Sequence, residues 1–229
     1  MKTDAPRAER RTTALSKDAI VAAAIAILDH QGEAALTFRA LAGRLKTGSG
    51  ALYWHVADKQ EVLAAVTDEI IARIATSQSA GEAPQDAIRA FALGVFDAID
   101  THPWVGGQLS RNPWQPAVLR ILEAVGRQVQ AIGIPKPMQF NVATAIMSFI
   151  LGLAGQYALG ASMFEGALDR TAALGAIAAN WAKLDPEEHP FVRYLATQLP
   201  QHDDREQFLA GINLILAGVG TLRERANRT

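Results

Sequence analysis

The stretch LTFRALAGRLKTGSGALYWHVADK, residues 36–59, reads as two short helices joined by a tight turn. Thr37 can cap the first helix, its hydroxyl accepting from a backbone N–H of the opening turn. Phe38, Leu41, Ala42 and Leu45 follow at i, i+3, i+4 and i+7, the spacing of one buried helix face. Lys46-Thr47-Gly48-Ser49-Gly50 makes the turn, and its two glycines can take positive φ at little cost. The second helix is expected to run for about two turns, with Leu52 and Val56 pointing inward. Ser49, Ala51, Tyr53, Trp54 and His55 spread over the rest of its surface, and Lys59 lies just beyond.

Adjacent Tyr, Trp and His on a short surface helix are costly to leave in water. Their apolar bodies and polar tips suit an interface that is part wet. A helix-turn-helix lays its second helix in the DNA major groove and its first across the backbone. Arg39, Arg44, Lys46, Lys59, the Tyr53 hydroxyl and helix N-terminal amides would then meet phosphates. The competing expectation is that Tyr53 and Trp54 pack beneath a neighbouring helix.

The segment Thr37 to Lys59, with LYWHVADK at 52–59, resembles the DNA-binding motif of the tetracycline repressor (TetR) family. The Tyr53-Trp54-His55-Val56 run is similar to the branch nearest the tetracycline repressors themselves. The resemblance implies an all-α protein and a homodimeric transcriptional repressor, released from a palindromic operator by a small ligand. It implies DNA contacts at Thr37, Arg39, Ser49, Gly50, Ala51, Tyr53, Trp54, His55 and Lys59, to which Lys46 is added as a turn cation. The family usually has Gly-Val where this chain has Lys46-Thr47, and Pro or Ala near Gly50.

The composition fits that reading. The chain has 229 residues, 49% of them hydrophobic, which suits a small domain followed by a larger one. It has no cysteine, which excludes disulfides, thiolate metal sites and a cysteine nucleophile. The start, MKTDAPRAERRTTALSK, lacks an apolar core like that of a signal peptide, so a cytoplasmic location is expected. Residues 1–60 hold nine Lys or Arg and six Asp or Glu, a net +3 against −4 for the remainder. A basic N-terminal third on an acidic body suits a head that reads DNA.

Three segments are expected: a flexible basic tail over 1–14, a helix-turn-helix DNA-binding domain over 15–60, and a helical ligand-binding and dimerisation domain over 61–229. Arg7, Arg10 and Arg11 make the tail a small basic arm, usually solvated in such tails but able to lie along phosphates or in a minor groove. Ser16 caps the first helix, Ile20, Ala24, Ile27 and Leu28 form its inner stripe, and Gly32 stops it. Asp58 and Glu61 form a capping box that opens a long helix with Val62, Val66, Ile70 and Ile74 inward. A tilt of that helix would move the head. Pro84 starts the next helix, striped by Ile88, Phe91, Ala92, Val95, Phe96 and Ile99.

His102-Pro103-Trp104 interrupts the pattern and a short irregular helix follows. A helix over 115–132 is expected to turn Leu119, Leu122, Val125 and Val129 inward and to stop at Gly133. Residues 138–164 carry no charge, so a membrane span is weighed. Gln139, Asn141, Thr144, Ser148, Gln156 and three glycines argue instead for a helix between the subunit core and a partner subunit. Phe208, Ile212, Ile215, Val219 and Leu222 form a bundle seam on the last helix. The resemblance implies a four-helix dimer interface from residues 138–161 and 204–223, with Phe149, Leu153, Phe208, Ile212, Ile215 and Val219 at its contacts.

Polar groups converging among apolar ones mark a ligand pocket. The candidates are His102, Trp104, Gln108, Trp114, Phe140, Asn141, Met147, Gln156 and Tyr157, on helices that enclose the pocket in the family. The expected effector is small and apolar or amphipathic. Metal-chelated tetracycline is disfavoured: Ala75 and Leu109 stand where the resemblance would place metal-binding histidines, and the five histidines lack paired metal-ligand spacing. No metal and no cofactor are expected. An enzyme is not expected, since no phosphate loop, nucleotide fingerprint, nucleophile elbow or HExxH occurs. The acidic pairs Glu165/Asp169 and Glu187/Glu188 read as solvated faces. A helical adaptor using Tyr53 and Trp54 as a protein-binding hot spot is the remaining class.

Overall fold

The computed structural model describes residues 15–77, 81–163 and 170–226, without the side chains of residues 154 and 157–163. The arm at Arg7, Arg10 and Arg11, the side chain of Tyr157 and the pair Glu165/Asp169 lie outside the described residues. All described elements are helical. The chain divides into two compact units between Val66 and Thr67. That division falls inside the helix that spans residues 59–76.

The N-terminal unit holds α1 (Lys17–Ala35), α2 (Phe38–Leu45), α3 (Ser49–Leu52) and the start of α4 (Lys59–Thr76). Its helix starts follow the local chemistry. Ser16 Oγ accepts from Ala19 N–H at 3.1 Å, and Thr37 Oγ1 accepts from Ala40 N–H at 3.1 Å. Asp58 Oδ1 accepts from Glu61 N–H at 2.8 Å, while Glu61 reaches back to Ala57 N–H at 2.6 Å. Gly32 takes φ +74° and breaks the helical path of α1 one turn before its end. Ile20, Ala24, Ile27, Leu28, Leu36, Leu41, Leu52, Val62, Leu63 and Val66 are buried. A core of this size is small for a free-standing domain.

The C-terminal unit continues α4 and adds α5 (Pro84–Thr101), α6 (Pro103–Arg111), α7 (Pro116–Ile132) and α8 (Lys136–Met163). α9 (Arg170–Trp181), α10 (Pro190–Ala196), a 3₁₀ turn at Leu199–Gln201 and α11 (Asp204–Ala226) complete it. α8 packs against α5, α6, α7 and α11, and α11 also packs on α5. The predicted stripe of α5 is buried throughout. The predicted stripe of α7 is not. Leu119 points to solvent, and the inward line is Val118, Ile121, Val125, Val129 and Ile132. Leu and Ile alternate along this helix at two overlapping helical spacings, and the faces of α5 and α8 select one of them.

α8 buries Val142, Ala143, Ile146 and Ile150, and leaves Asn141, Ala145, Ser148, Gly152 and Gln156 exposed along another side. No described helix is long and apolar enough to cross a membrane. α8 and α11 meet tightly through Phe208, whose ring stacks on Phe96 at 5.3 Å and on Phe149 at 5.4 Å. A Cβ on Gly211 would lie 2.3 Å from Phe149 Cζ, so only glycine lets the ring sit there.

Candidate nucleic-acid interface

The turn between α2 and α3 is built differently from expectation. Thr47 N–H bonds the Ala42 carbonyl at 3.0 Å and Lys46 N–H bonds that of Gly43 at 3.3 Å. This pair of bonds is a Schellman closure, whose αL position usually falls to glycine. Here Lys46 occupies it, at φ 53° and ψ 42°. The predicted role of the glycines in the turn is thereby corrected: Gly48 takes φ −84° as the N-cap of α3, and Gly50 is helical. A Cβ would meet nothing at either glycine.

α3 is also shorter than the expected two turns. It spans Ser49–Leu52, and Tyr53, Trp54 and His55 form a further turn closed by His55 N–H on the Leu52 carbonyl at 2.9 Å. Gly48 offers no side-chain cap, and Ser49 and Gly50 are weak helix formers, so little drives propagation. Leu52 and Val56 are fully buried and anchor the segment from both ends.

The outward residues collect on this anchored segment. Trp54 is 90% exposed and Tyr53 60% exposed, which removes the expectation that both pack under a neighbouring helix. Tyr53 is nevertheless held, its ring stacked on Phe38 of α2 with centroids 4.5 Å apart. Arg39, Arg44, Lys46, Ser49 and Gly50 are exposed, and Ala51 and His55 are half-buried. Thr37 is exposed but its hydroxyl is engaged in capping α2.

Lys59 departs most from the expected set. Its ammonium donates to the Glu33 carbonyl at 2.6 Å in a part-buried bond. Glu33 lies just past the break at Gly32, and its carbonyl also accepts from Leu36 N–H at 3.2 Å. Lys59 is thus a tether between α1 and α4 before it is anything else. The bond joins residues 26 apart in sequence, and no local pattern announces it.

The surface is therefore a one-turn helix with two projecting aromatic rings, bordered by three exposed cationic side chains on and after α2. The family model for bacterial regulatory proteins of the tetR family matches residues 20–66, which include all of it. A solved transcriptional regulator from Streptomyces coelicolor, SCO7222, described as a TetR, is 47% identical. The match covers 91% of this chain and 99% of that one, with a TM-score of 0.81. The chain belongs to the TetR family of transcriptional regulators.

TetR-type regulators are not enzymes, and the match extends over both units. Another relative, an HTH-type transcriptional regulator from Saccharopolyspora erythraea, is 30% identical over 149 residues. That stretch is 64% of this chain and 63% of the relative, so the chain spans less than two thirds of that regulator. The structure of BioQ with its double-stranded DNA operator is 27% identical, covers 90% of this chain and 98% of that one, and has a TM-score of 0.58.

The residues proposed from the TetR resemblance for the larger unit separate into groups. His102 closes α5 and opens α6, and its ring lies 5.9 Å from that of Trp104. Gln108 is buried on α6, and its carbonyl accepts from the buried Gln115 side chain at 2.7 Å. Met147 is half-buried on α8, which packs along α6. The others do not converge with these. Trp114 is 81% exposed, in a turn held by Asn112 Oδ1 on its N–H. Phe140 is 73% exposed in the first turn of α8, off the face that carries Val142 and Ile146. Gln156 is exposed, and Asn141 lines a groove of about 630 Å³ between α8 and α11. Trp114, Phe140, Asn141 and Gln156 are thus all exposed in the single chain. Among the described residues no group of three or more His, Asp or Glu could hold a metal ion, and Leu109 is buried among apolar neighbours on α6.

The dimer candidates divide in a similar way. Phe208, Ile212 and Val219 are buried within the single chain, and Val219 also lines the groove between α8 and α11. The seam spacing marked the apolar side of α11 correctly, but that side is turned to α5 and α8. Phe149, Leu153 and Ile215 are half-buried. The outward side of α11 carries Asn213, Leu214, Ala217, Gly218 and Thr221, with Leu214 76% exposed.

Proposed function

We propose that this TetR-family chain is a homodimeric repressor that reads a palindromic operator and leaves it when a small apolar or amphipathic effector binds. The observation that carries the reading is Trp54. An indole left almost wholly in water, beside a stacked Tyr53 and the cations Arg39, Arg44 and Lys46, suits a partner that offers both apolar contact and phosphate charge. BioQ, a relative by sequence and fold, binds a double-stranded operator.

In this reading residues 15–60, with the first turns of α4, form the DNA-binding head. Residues from there to 229 hold the effector and the partner subunit. Tyr53, Trp54, Ser49, Gly50, Ala51 and His55 enter the major groove. Thr37, Arg39 and Lys46 meet phosphates, and Lys59 holds the head together. Two heads sit in successive major grooves, about 34–36 Å apart if the half-sites are one turn apart. The outward sides of α8 and α11 supply the dimer contact, through Leu214, Ala217 and Gly218 in place of the buried seam. The effector binds between α5, α6 and α8, near His102, Trp104, Gln108 and Met147.

Tyr53→Ala and Trp54→Ala test this against a protein-docking adaptor. Both are expected to weaken operator binding while the dimer persists in gel filtration. Wild-type operator affinity in both variants contradicts the docking mode.

A further inference from the structure

Residues 47–57 are TGSGALYWHVA, and they contain no Arg, Lys, Asn, Gln, Asp or Glu. Those are the side chains that pair with guanine or adenine through two hydrogen bonds, or accept from cytosine. The segment that carries α3 therefore lacks the usual hydrogen-bonding readers of base edges. Its polar groups are few. Ser49 offers one short hydroxyl at the start of the helix. Tyr53 is stacked on Phe38 of α2, and His55 is half-buried.

Apolar surface takes their place. Leu52 and Val56 are buried and hold the segment by its inner face. Val56 N–H bonds the Leu52 carbonyl at 3.0 Å, so the helical phase carries on through Trp54. At about 100° per residue, Trp54 stands opposite Leu52 and Val56. Gly50 and Ala51, four and three residues earlier, share that outward side. A Cβ on Gly50 would meet nothing within 4 Å, so the backbone there is open to close approach. The outward side of the segment is thus an indole, one methyl group and bare backbone.

One feature of the major groove complements such a side. Thymine alone among the four bases presents a methyl group there, at C5. An indole face and an alanine methyl gain by covering it. The indole N–H is a single donor and accepts nothing. One donor does not tell adenine from guanine, since both present N7 as an acceptor. We infer that α3 reads thymine methyl groups, with Trp54 and Ala51 as the residues that determine specificity, and leaves the purine edges unread. The inference rests on the operator-reading function proposed above and names the base chemistry that the same surface takes. It concerns α3 alone, and Arg39 and Lys46 keep the phosphate contacts given to them there.

The test uses the full chain and the duplex it selects from a random pool, at low salt, where phosphate contacts keep weakened variants on the DNA. Each A·T pair of a half-site is altered in two ways. Deoxyuridine in place of thymidine removes the methyl and keeps the hydrogen-bonding edge. 7-Deazadeoxyadenosine in place of deoxyadenosine removes N7 and keeps the methyl. For at least one pair in each half-site, deoxyuridine is expected to weaken wild-type binding by about fourfold, the factor for uncovering one methyl-sized group. The purine replacement at the same pair is expected to cost less than that. At each such pair, either Trp54→Ala or Ala51→Gly is expected to bind the thymidine and deoxyuridine duplexes alike. Trp54 is almost wholly in water, so its removal is expected to leave the thermal midpoint unchanged. Wild-type binding that ignores deoxyuridine at every pair overturns the inference. So does an equal or larger loss from the purine replacement, a methyl discrimination that both variants retain, or a selected half-site without thymidine. A protein that selects no duplex at all removes the operator-reading function itself, which is a separate result.

Discussion

The ring of Tyr53 lies over that of Phe38, with centroids 4.5 Å and planes 18° apart. The pair joins α2 to the turn that follows α3, so the half-exposed tyrosine is presented on a fixed platform. Stacked aromatic pairs are worth about 0.5–1.5 kcal/mol beyond the area they bury. Phe38→Ala is therefore expected to weaken operator binding by about tenfold, through the loss of a preset Tyr53. A titration of Phe38→Ala with the selected duplex checks this. Unchanged affinity would mean that DNA itself orders Tyr53.

Lys46 holds a left-handed conformation that a side chain disfavours by about 1–2 kcal/mol. Glycine removes that strain, at a cost of about 0.5–1 kcal/mol in unfolded-chain freedom. Lys46→Gly is expected to leave stability equal or raise it by up to about 1 kcal/mol, read by denaturant titration. Its operator binding should show a salt slope lower by about one, the signature of one lost phosphate contact. Lys46→Ala loses the same contact and keeps the strain. An unchanged slope in both variants would take Lys46 out of the interface.

Lys59 is expected to act on stability first. Its bond to the Glu33 carbonyl is charge-assisted and part-buried, a class worth about 1.5–3 kcal/mol. Lys59→Met keeps most of the apolar stem and removes the donor. Hydrogen exchange of the α1 and α2 amides should accelerate in that variant. Normal exchange with weakened DNA binding would return Lys59 to the phosphate role that the sequence suggests.

Gly211 is expected to tolerate no side chain. The Cβ of Gly211→Ala would meet the Phe149 ring at 2.3 Å, inside the stack formed with Phe96 and Phe208. Overpacking of this kind costs about 1–3 kcal/mol. Phe149→Leu introduced beside it should recover part of the loss, which a thermal melt of the two variants would show. A Gly211→Ala protein as stable as wild type would mean that α8 and α11 shift apart at no cost.

What the sequence disclosed depends on the range of the interaction. Ser16, Thr37, Asp58 and Asp203 each cap a helix through bonds three residues long, and each is visible as a residue type before an apolar run. The head motif was legible for the same reason. Lys46 was not, because the αL position was sought at a glycine and the chain places it two residues earlier. On α7 and α11 the apolar spacing was visible, but which side faces α8 depends on packing between distant segments. Leu119 and Val118 are equally apolar, and only Val118 is buried. Lys59 with Glu33, and Arg120 with Asp68, pair across 26 and 52 residues, and no local pattern encodes either. The exposure of Trp114 and Phe140 has the same origin: both are large aromatic residues next to apolar runs in sequence, yet they turn outward in space.

The most direct measurement is selection of random duplex DNA on the purified full chain, with binding of the selected sequence followed against salt. The account predicts a palindromic sequence whose affinity falls steeply as salt rises, because bound phosphates release their counterions. A folded protein that enriches no sequence would contradict it, and would assign Tyr53 and Trp54 to a protein partner instead.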